Sequence, residues 1–438
     1  MSSAVRIVAE QAKRASRALA TIPAEARTLA IQKAAERVEQ SRAQLLEANA
    51  RDLSAADAML HAGDISTATY ERLRLSDKKL DEMTHSMLAV AALPEPIGRI
   101  LRCTELDAGL VLEKITCPLG VLAIIFEARP DAVTQISALG LKSANAVILK
   151  AGREVEHTAA VLVEIIRQSL SESAIPEDAV ALVTGREAVR ELLDMPDLID
   201  MVIPRGSKQL VEFIQSNTRI PVLGHAEGIC HVYVDAAADK QMALDIVLDA
   251  KTDYPAACNA AETVLIHERI ATEFLPLLAE QLRAAKVQLR GCEKTRAILK
   301  DASVEAVGES EWHHEYGDLV LAVRVVASME EAIDHIHRFG SSHTETIVTE
   351  NREAAEEFLA RVDAAGVFHN ASTRFADGYR YGFGAEVGIS TSKLHARGPV
   401  GLDGLTTYKY VLRGSGQVAG DYHGANPKPF THKRLPTE

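Results

Sequence analysis

One short segment of the chain combines the residue types of a covalent catalyst. It runs from Asp253 to Ala260 and reads Asp-Tyr-Pro-Ala-Ala-Cys-Asn-Ala, with Cys258 among small neighbours between a predicted helix and a predicted strand. A thiol on such a connection is accessible, and backbone N–H groups beside it can face a developing oxyanion. The segment predicts a cysteine nucleophile for a carbonyl carbon, and a buried, inert thiol is the alternative. The other four cysteines lie in or beside apolar runs and are expected in the core.

Two further segments place cations where a predicted strand ends and a helix begins. They are residues 148–154 and residues 203–207. The residues of interest are Lys150 and Arg153 in the first segment, and Arg205, Gly206 and Ser207 in the second. Because a helix start offers free N–H groups, the two segments together predict a site for an anionic ligand at the strand ends of an α/β sheet. Either segment alone is typical of a solvated loop, and the chain has no G-x-G-x-x-G fingerprint.

The segments around these residues alternate between buried strands and helices. Short β-branched and apolar runs are separated by stretches with helical spacing, which is typical of parallel sheets covered on both faces. The predicted strands are residues 121–126, 146–150, 180–183 and 199–203, then 231–234, 262–266, 320–325, 345–348 and 367–370; helices are predicted at 131–142, 154–170 and 187–194. This pattern predicts two α/β sheets in series.

The two ends of the chain follow other patterns. Residues 1–60 are Ala-rich with helical spacing and predict two helices, and Ser76 is expected to cap another helix. Residues 405–412 alternate as in an antiparallel or edge strand, which invites pairing with another chain. The tail after Gly414 contains three prolines and three further glycines and predicts a loose arm.

Composition restricts the class of protein. The 438 residues are 47% hydrophobic and 25% charged with a net charge of −13, which argues against a protein that coats nucleic acid or an anionic membrane. The five cysteines fit neither a disulfide framework nor a zinc ribbon, and no signal peptide or membrane span is evident, so we expect a cytoplasmic protein. No carboxylate or thiol completes a ligand set with His313, His314, His335 and His337, and we expect no metal.

Several longer motifs, in one order along the chain, carry a family resemblance. They are Phe126-Glu-Ala-Arg-Pro-Asp131, Val202-Ile-Pro-Arg-Gly-Ser207, Leu223-Gly-His-Ala-Glu-Gly228, Asp253-Tyr-Pro-Ala-Ala-Cys-Asn259, Asn370-Ala-Ser-Thr-Arg-Phe375, Phe383-Gly-Ala-Glu-Val-Gly-Ile-Ser-Thr391, Lys393-Leu-His-Ala-Arg-Gly-Pro399 and Leu405-Thr-Thr-Tyr-Lys-Tyr410. Over nearly its whole length the chain resembles the glutamate-5-semialdehyde dehydrogenases, also called γ-glutamyl phosphate reductases, of the aldehyde dehydrogenase superfamily. The resemblance implies an α/β fold with a Rossmann-like cofactor domain, an α/β catalytic domain and a small β oligomerisation flap.

The same resemblance implies a reaction. It is the NADPH-dependent reduction of L-glutamyl 5-phosphate to L-glutamate 5-semialdehyde and phosphate, the second step of proline biosynthesis from glutamate. Cys258 takes the place of the family nucleophile: its thiolate attacks the acyl phosphate, phosphate leaves, and hydride transfer to the thioester gives a thiohemiacetal that releases the aldehyde.

Two departures from oxidising aldehyde dehydrogenases sharpen this expectation. In the corresponding stretch, residues 222–227, leucine or glycine stands at the position of the Glu that activates water in those enzymes, so hydrolysis of the thioester is expected to be slow. Their oxyanion-binding Asn is replaced by Ala128. We therefore assign the oxyanion to the backbone N–H of Cys258, together with Asn259.

The resemblance assigns the anion-binding residues to NADPH/NADP. Relatives that prefer NAD often carry Glu at the position of Arg153, and a cation there suits a 2′-phosphate, so we expect NADPH in preference to NADH. Ser207 matches the serine near the pyrophosphate, and Glu315 resembles the Glu that holds the nicotinamide ribose, one residue out of register. The expected cofactor-binding residues are Lys150, Arg153, Arg205, Gly206, Ser207 and Glu315.

Four residues are expected to bind the substrate, whose carboxylate and phosphate need donors. They are Arg129, His225, Ser372 and Arg374. Structural ion pairs are the alternative for the two arginines, and a structural histidine is the alternative for His225.

By resemblance, the chain divides into four parts. Residues 1–104 and 119–228 form the NADP-binding domain, 229–395 the catalytic domain, 105–118 with 396–425 the oligomerisation flap, and 426–438 a C-terminal tail. The strand at 405–412 predicts a homo-oligomer, a dimer or a tetramer, and the upstream glutamate kinase is a candidate partner.

Two other functions compete with the reductase. An oxidative aldehyde dehydrogenase is disfavoured by the missing Glu. A catalytically silent binding relative is disfavoured by the joint presence of Cys258, Lys150, Arg153 and Ser207.

Overall fold

The computed structural model describes residues 3–225 and 227–437, which divide into two compact units. The first unit comprises Met1–Leu223, Phe383–Gly388 and Val400–Glu438. The second unit comprises Gly224–Gly382 and Ile389–Pro399. The finer division into four parts implied by the resemblance stays a prediction.

Helices are distributed over both units. In chain order they are α1 (Ala4–Leu19), α2 (Ala24–Gln40), α3 (Arg42–Ala62), α4 (Thr67–Leu73), α5 (Asp77–Ala92), α6 (Asp131–Lys142), α7 (Glu156–Ser171), α8 (Glu187–Leu193), α9 (Lys208–Ser216), α10 (Lys240–Thr252), α11 (Glu268–Ala284), α12 (Glu293–Leu299), α13 (Met329–Phe339) and α14 (Arg352–Arg361). Among the described residues, no helix combines the length and the apolar character needed to cross a bilayer.

The strands fall between and after these helices. In chain order they are β1 (Ile100–Asp107), β2 (Leu110–Pro118), β3 (Val121–Phe126), β4 (Ala146–Ala151), β5 (Val180–Val183), β6 (Met201–Arg205), β7 (Cys230–Val234), β8 (Ala261–His267), β9 (Gln288–Gly291), β10 (Glu305–Ala306), β11 (Val320–Val326), β12 (Thr344–Val348), β13 (Gly366–His369), β14 (Gly388–Ser390), β15 (Gly398–Val400), β16 (Thr406–Arg413) and β17 (Lys433–Leu435).

The first unit contains a parallel sheet of order β5-β4-β3-β6. All residues of β3 are buried, as expected for a strand covered on both faces. The register places Phe126 of β3 opposite Ala151 of β4 and Arg205 of β6. The carboxyl ends of three strands therefore lie side by side, and the chain enters α6 and α9 from two of them.

The second unit contains a parallel sheet of order β10-β9-β11-β8-β7-β12-β13. Its core joins the strands to α10 and α11 through fully buried residues such as Val232, Val264, Phe274 and Leu321. The prediction of two α/β sheets in series is confirmed, because both sheets are parallel and alternate with helices.

A third sheet is antiparallel, with the order β16-β2-β1-β17. The alternating segment at 405–412 forms β16, which pairs with β2 from Thr406 opposite Pro118 to Arg413 opposite Val111. Its side chains are mostly exposed. The prediction of an antiparallel edge strand is confirmed.

Two expectations about the chain ends are wrong. The first 60 residues form parts of three helices, because α2 ends at Gln40 and α3 begins at Arg42, with Ser41 between them at a ψ of 15°. Neither glycine nor proline marks this break, and the helical spacing of apolar residues continues across it, so the sequence pattern predicts one helix where the structure has two. The C-terminal tail is not a loose arm throughout, since β17 pairs with β1, with Leu435 opposite Cys103. The unpaired backbone of β1 offers the tail hydrogen bonds that composition does not reveal.

The expected cap of the helix after Ser76 is confirmed. The Ser76 hydroxyl accepts a hydrogen bond from the Lys79 N–H at 3.3 Å at the start of α5. This satisfies one of the N–H groups that the first helical turn leaves open.

Candidate active site

The predicted nucleophile lies on a tight loop between α10 and β8. Cys258 is half-buried, whereas Cys230, the nearby cysteine of β7, is fully buried. The Ala257 N–H donates to the Tyr254 carbonyl at 3.0 Å, and the Ala260 N–H donates to the Ala257 carbonyl at 2.9 Å. These two turns place a partly accessible thiol at the tip of a short connection, where a nucleophile is expected.

Three neighbouring strands bring distant segments to this loop. β8, β7 and β12 are adjacent and parallel, so the residues just before them share the amino edge of the sheet. These residues include Cys258 before β8, His225 before β7 and His343 before β12. One side-chain ligand atom of each lies within 4.8 Å of those of the other two. His343 is absent from the predicted site residues, because only the pairing of β7 with β12 brings it here.

Gly228 lets one of these segments approach the nucleophile loop. A Cβ atom at Gly228 would lie 2.5 Å from the Cα and carbonyl carbon of Cys258, closer than the 3.0 Å that real Cβ contacts respect. The backbone of the motif that contains His225 therefore packs directly on the backbone of Cys258. Only glycine leaves room for this contact.

The side chain of Asn259 holds the loop in place. Its amide Nδ2 donates to the Ala376 carbonyl at 2.9 Å, and its Oδ1 accepts from the Arg374 guanidinium. Arg374 is buried and its Nε also donates to Asp253 at 3.0 Å, so one arginine joins both ends of the loop. The Asn259 side-chain amide donates to the carbonyls of Arg374 and Ala376, and its role as an oxyanion donor stays a prediction.

The same hydrogen-bond network includes two residues that were predicted to bind the substrate. The Ser372 hydroxyl accepts a hydrogen bond from the Arg374 N–H at 3.3 Å and begins a short 3₁₀ turn. Arg374 forms an ion pair with Asp253, which is the structural alternative that the sequence left open. The roles of Ser372 and Arg374 in substrate binding stay predictions.

A buried charge pair flanks the loop. Lys251 of α10 and Glu262 of β8 are both buried, and the Lys251 Nζ donates to Glu262 at 2.9 Å. Burial raises the pKa of Glu262 to about 7, an effect that Lys251 only partly offsets. Burial also lowers the pKa of Lys251. The pair connects the residues at the two ends of the nucleophile loop.

Glu315 lies close to this loop. Its carboxylate accepts a hydrogen bond from the Gly228 N–H, and burial raises its pKa, which that hydrogen bond and the charge of His225 oppose. Gly228 itself packs on Cys258. This location agrees with a role near the reacting groups, and contact with the nicotinamide ribose stays a prediction.

The first unit carries a cleft at the carboxyl ends of its parallel strands. The cleft has a volume of about 450 Å³. Its lining includes Lys150, Arg153 and Arg186. A second cleft of about 620 Å³ shares Arg186 with it and is also lined by Ser207. The structure therefore brings three predicted cofactor-binding residues to adjoining clefts and adds Arg186, which the sequence did not single out.

The cations of this cleft differ in their surroundings. The Lys150 Nζ donates to the Ala151 carbonyl at 2.8 Å, and burial lowers the pKa of Lys150 against the charges of Glu154 and other carboxylates. Arg153 is exposed and forms an ion pair with Asp64 at 3.0 Å. No described residue forms a hydrogen bond or an ion pair with the side chain of the exposed Arg186.

Glu127 occupies the start of α9. Its carboxylate accepts a hydrogen bond from the Ser207 N–H at 2.8 Å. A Cβ atom at Gly206 would lie 2.9 Å from both the Glu127 Cδ and the Leu210 Cδ2, so a larger residue would have to displace these side chains. An anion that binds the Ser207 N–H has to displace Glu127, and a pyrophosphate contact to Ser207 stays a prediction.

Arg205 and Arg129 complete the predicted set. Arg205 lies at the end of β6 and packs against Gly388, where an added Cβ would be 3.1 Å from its guanidinium nitrogen. Arg129 is half-buried, and its guanidinium has no hydrogen bond or ion pair with any residue in the described ranges. Ala128, just before it, has a φ of 48°, and its N–H donates to Glu154 at 2.6 Å. The roles of both arginines stay predictions.

The four histidines for which the sequence predicted no metal site lie outside the nucleophile loop. His335 is buried against the ring of Trp312 at 5.0 Å, and burial lowers its pKa to about 2. Within residues 3–225 and 227–437, His313, His314 and His337 join no cluster of metal-ligating side chains.

Comparison with known proteins identifies the family. Residues 2–298 match the model of the aldehyde dehydrogenase family. The chain is 51% identical over 438 residues to a γ-glutamyl phosphate reductase of Natronomonas pharaonis, covering 100% of this chain and 99% of the relative. It is 52% identical over 428 residues to the enzyme of the same name from a Cyanothece strain, covering 98% and 97% of the two chains.

The chain belongs to the γ-glutamyl phosphate reductases of the aldehyde dehydrogenase family. The predicted family, fold class and enzyme class are thereby confirmed. As a member of this family, it is an oxidoreductase that uses a nicotinamide cofactor.

Solved structures agree with this assignment. The crystal structure of the γ-glutamyl phosphate reductase of Thermotoga maritima superposes with a TM-score of 0.91 at 39% identity, covering 95% of this chain and 100% of that one. An acetylating aldehyde dehydrogenase from Geobacillus thermoglucosidasius gives a TM-score of 0.65 at 17% identity, over 94% and 97% of the two chains. This more distant likeness shows the aldehyde dehydrogenase fold.

Proposed function

We propose that this chain reduces L-glutamyl 5-phosphate with NADPH to L-glutamate 5-semialdehyde and phosphate, through a thioester on Cys258. The half-buried loop thiol carries this proposal. Its support is the loop itself, which is held by Asn259, Arg374 and the packing of Gly228. A fixed nucleophile lowers the entropic cost of reaching the acyl carbon.

The residues of the second unit account for the protein's part in the chemistry. The Cys258 sulfur forms a bond to the γ-carbonyl carbon, and the bond from that carbon to the phosphate oxygen breaks. The backbone N–H of Cys258 is the proposed donor to the oxyanion. The segment at 222–227 places no glutamate where oxidising relatives activate water, which favours survival of the thioester until it is reduced.

The cleft of the first unit fits an anionic dinucleotide. Lys150, Arg153 and Arg186 line it beside the carboxyl ends of parallel strands, where such ligands bind in α/β folds. When bound there, NADPH supplies the hydride that reduces the thioester. Arg153 and Arg186 are the proposed contacts for a 2′-phosphate, which NADH lacks, and they support a preference for NADPH.

The test of the function follows the reverse reaction, because the acyl phosphate is labile. Glutamate 5-semialdehyde, NADP and phosphate are mixed, and NADPH is followed by absorbance. We expect phosphate-dependent turnover that C258A abolishes and C117S, at another half-buried thiol, retains. Turnover without phosphate would identify an oxidising dehydrogenase, and no turnover under either condition would identify a silent relative.

We also propose that β16 pairs with a second copy of the chain. It forms one edge of its antiparallel sheet and exposes the side chains of Tyr408, Tyr410 and Leu412. An exposed, apolar edge strand favours pairing with an identical strand, which would extend the sheet across a two-fold axis. The Y408K/Y410K double variant should reduce the mass measured by light scattering to that of one chain, and an unchanged mass would contradict the proposal. The upstream glutamate kinase stays a candidate partner.

A further inference from the structure

A thiol and two imidazoles meet where the segments before β8, β7 and β12 converge. One ligand atom each from Cys258, His225 and His343 lies within 4.8 Å of the others. The rings of His225 and His343 stand edge to face with their centroids 5.1 Å apart. Imidazole is the side chain best suited to exchange protons near neutral pH, so this cluster has the chemistry for proton transfer to or from the Cys258 thiol.

The two ring nitrogens of His343 differ in their surroundings. The single thiol proton of Cys230 donates to the Cys258 carbonyl at 3.4 Å, so toward the His343 Nδ1 at 3.8 Å that sulfur can only accept. The Nδ1 also lies 2.9 Å from the Thr344 hydroxyl. With the ring proton on Nδ1, donated to the Thr344 hydroxyl, Nε2 carries a lone pair.

The Nε2 atom of His343 has no hydrogen-bond partner among residues 3–225 and 227–437. This atom is buried and makes no hydrogen bond, and His343 as a whole is only 1% exposed. A buried, unpaired polar atom is costly unless a group that arrives during function satisfies it. The reaction supplies such a group next to Cys258.

The proposed reaction requires two proton transfers close to Cys258. Attack by a thiolate on an acyl phosphate expels phosphate as a trianion, which has to gain a proton to leave as hydrogen phosphate. The thiol of Cys258 has to lose one to become the nucleophile. A single base near both atoms can accept the first proton and deliver it to the leaving oxygen.

We propose that His343 is the general acid–base residue of this enzyme: its Nε2 takes the proton of the Cys258 thiol and passes it to the departing phosphate. The carbon–sulfur bond forms as the carbon–oxygen bond breaks, and the imidazolium returns to neutral imidazole. Hydride addition leaves the thiohemiacetal as its alkoxide, which collapses to the aldehyde and the Cys258 thiolate. The thiolate then takes a proton from the solvent. One proton is consumed with each NADPH, as the balance of the reaction requires.

The inference rests on the proposed function, and the test separates the two. Glutamate 5-semialdehyde and NADP are first mixed without phosphate, so that the acyl-enzyme and NADPH form in a single turnover. Failure of the wild type at this step would contradict the proposed function. The acyl-enzyme is then mixed with phosphate or with hydroxylamine, and its decay is followed.

Phosphate needs a base to attack the thioester, whereas hydroxylamine is already a neutral nucleophile. We expect H343N to slow phosphate-dependent decay by about 10²-fold or more and hydroxylamine-dependent decay by less than about threefold. Asn keeps a donor near the position of Nδ1 and lacks Nε2. Gln fills the position of Nε2 but cannot exchange a proton there, so H343Q should show the same loss as H343N. C230S alters the packing beside His343 and should leave the ratio of the two rates unchanged.

Three results would overturn the inference. The first is an equal loss with both acceptors, which a purely structural role produces. The second is decay at the wild-type rate with both acceptors in H343N and H343Q. The third is phosphate-dependent activity of the wild type that a chelator removes and Zn²⁺ restores, because the cluster would then act as a metal site.

Discussion

The substitution G228A tests whether the backbone contact between Gly228 and Cys258 sets the position of the nucleophile. The added Cβ would lie 2.5 Å from the Cα and carbonyl carbon of Cys258, and ordinary contact begins at 3.4 Å. The Cys258 carbonyl oxygen would lie closer still, so the two backbones have to separate by at least about 0.9 Å. A displacement of about 1 Å at a reacting group costs about 10²-fold in rate, which corresponds to about 2.7 kcal/mol in the activation barrier.

The assay is the phosphate-dependent reverse reaction, with kcat and KM for the aldehyde determined separately. We expect kcat to fall about 100-fold, because the thiol moves relative to the bound aldehyde. G308A is the matched control in the same unit, because its Cβ would meet Glu311 at an ordinary 3.4 Å. Activity of G228A within about threefold of the wild type, in a protein that unfolds at the same temperature, would refute this reasoning.

Three further predictions follow from other contacts. R153E should lower kcat/KM for NADPH about 10- to 100-fold while NADH is little affected, because it replaces a cation at the cofactor cleft; R51E, at another exposed arginine of the first unit, should not. R374K should lower kcat about tenfold, since lysine cannot bridge Asp253 and Asn259, and unchanged kinetics would show that the bridge is dispensable. Burial raises the pKa of Glu262 to about 7, so the folded state holds its proton more tightly than the unfolded state. Its contribution to stability is present below about pH 4.5 and is lost as the pH rises through 7, so the wild type should lose about 3 kcal/mol of unfolding free energy relative to E262Q over that range in denaturant titrations; parallel curves would contradict this.

Much of the fold follows from the sequence where burial is complete. Strands β3 and β5 have the predicted bounds, because strands covered on both faces form unbroken apolar runs with polar ends. Helix α6 also begins and ends as predicted. Strand β17 could not be predicted from the sequence, because its pairing with the distant β1 decides it. The break at Ser41 was missed because neither glycine nor proline marks it.

The candidate site divides in the same way. The loop position of Cys258 and the strand-end position of Lys150 could be predicted from the sequence, because both are local features. His343 could not be found so, because its place beside Cys258 depends on the pairing of β12 with β7 and of β7 with β8. Arg374 shows a third case, since its type suggests an anion ligand while the structure gives it Asp253 and Asn259 as partners.

The most direct test of the central proposal is mass spectrometry of the peptide that carries Cys258. The enzyme is mixed with glutamate 5-semialdehyde and NADP in the absence of phosphate, quenched and digested. We expect an acyl adduct on Cys258 in a one-to-one ratio with the NADPH formed, and its loss when phosphate is added before the quench. An adduct on another residue, or NADPH formation without any adduct, would contradict a thioester on Cys258.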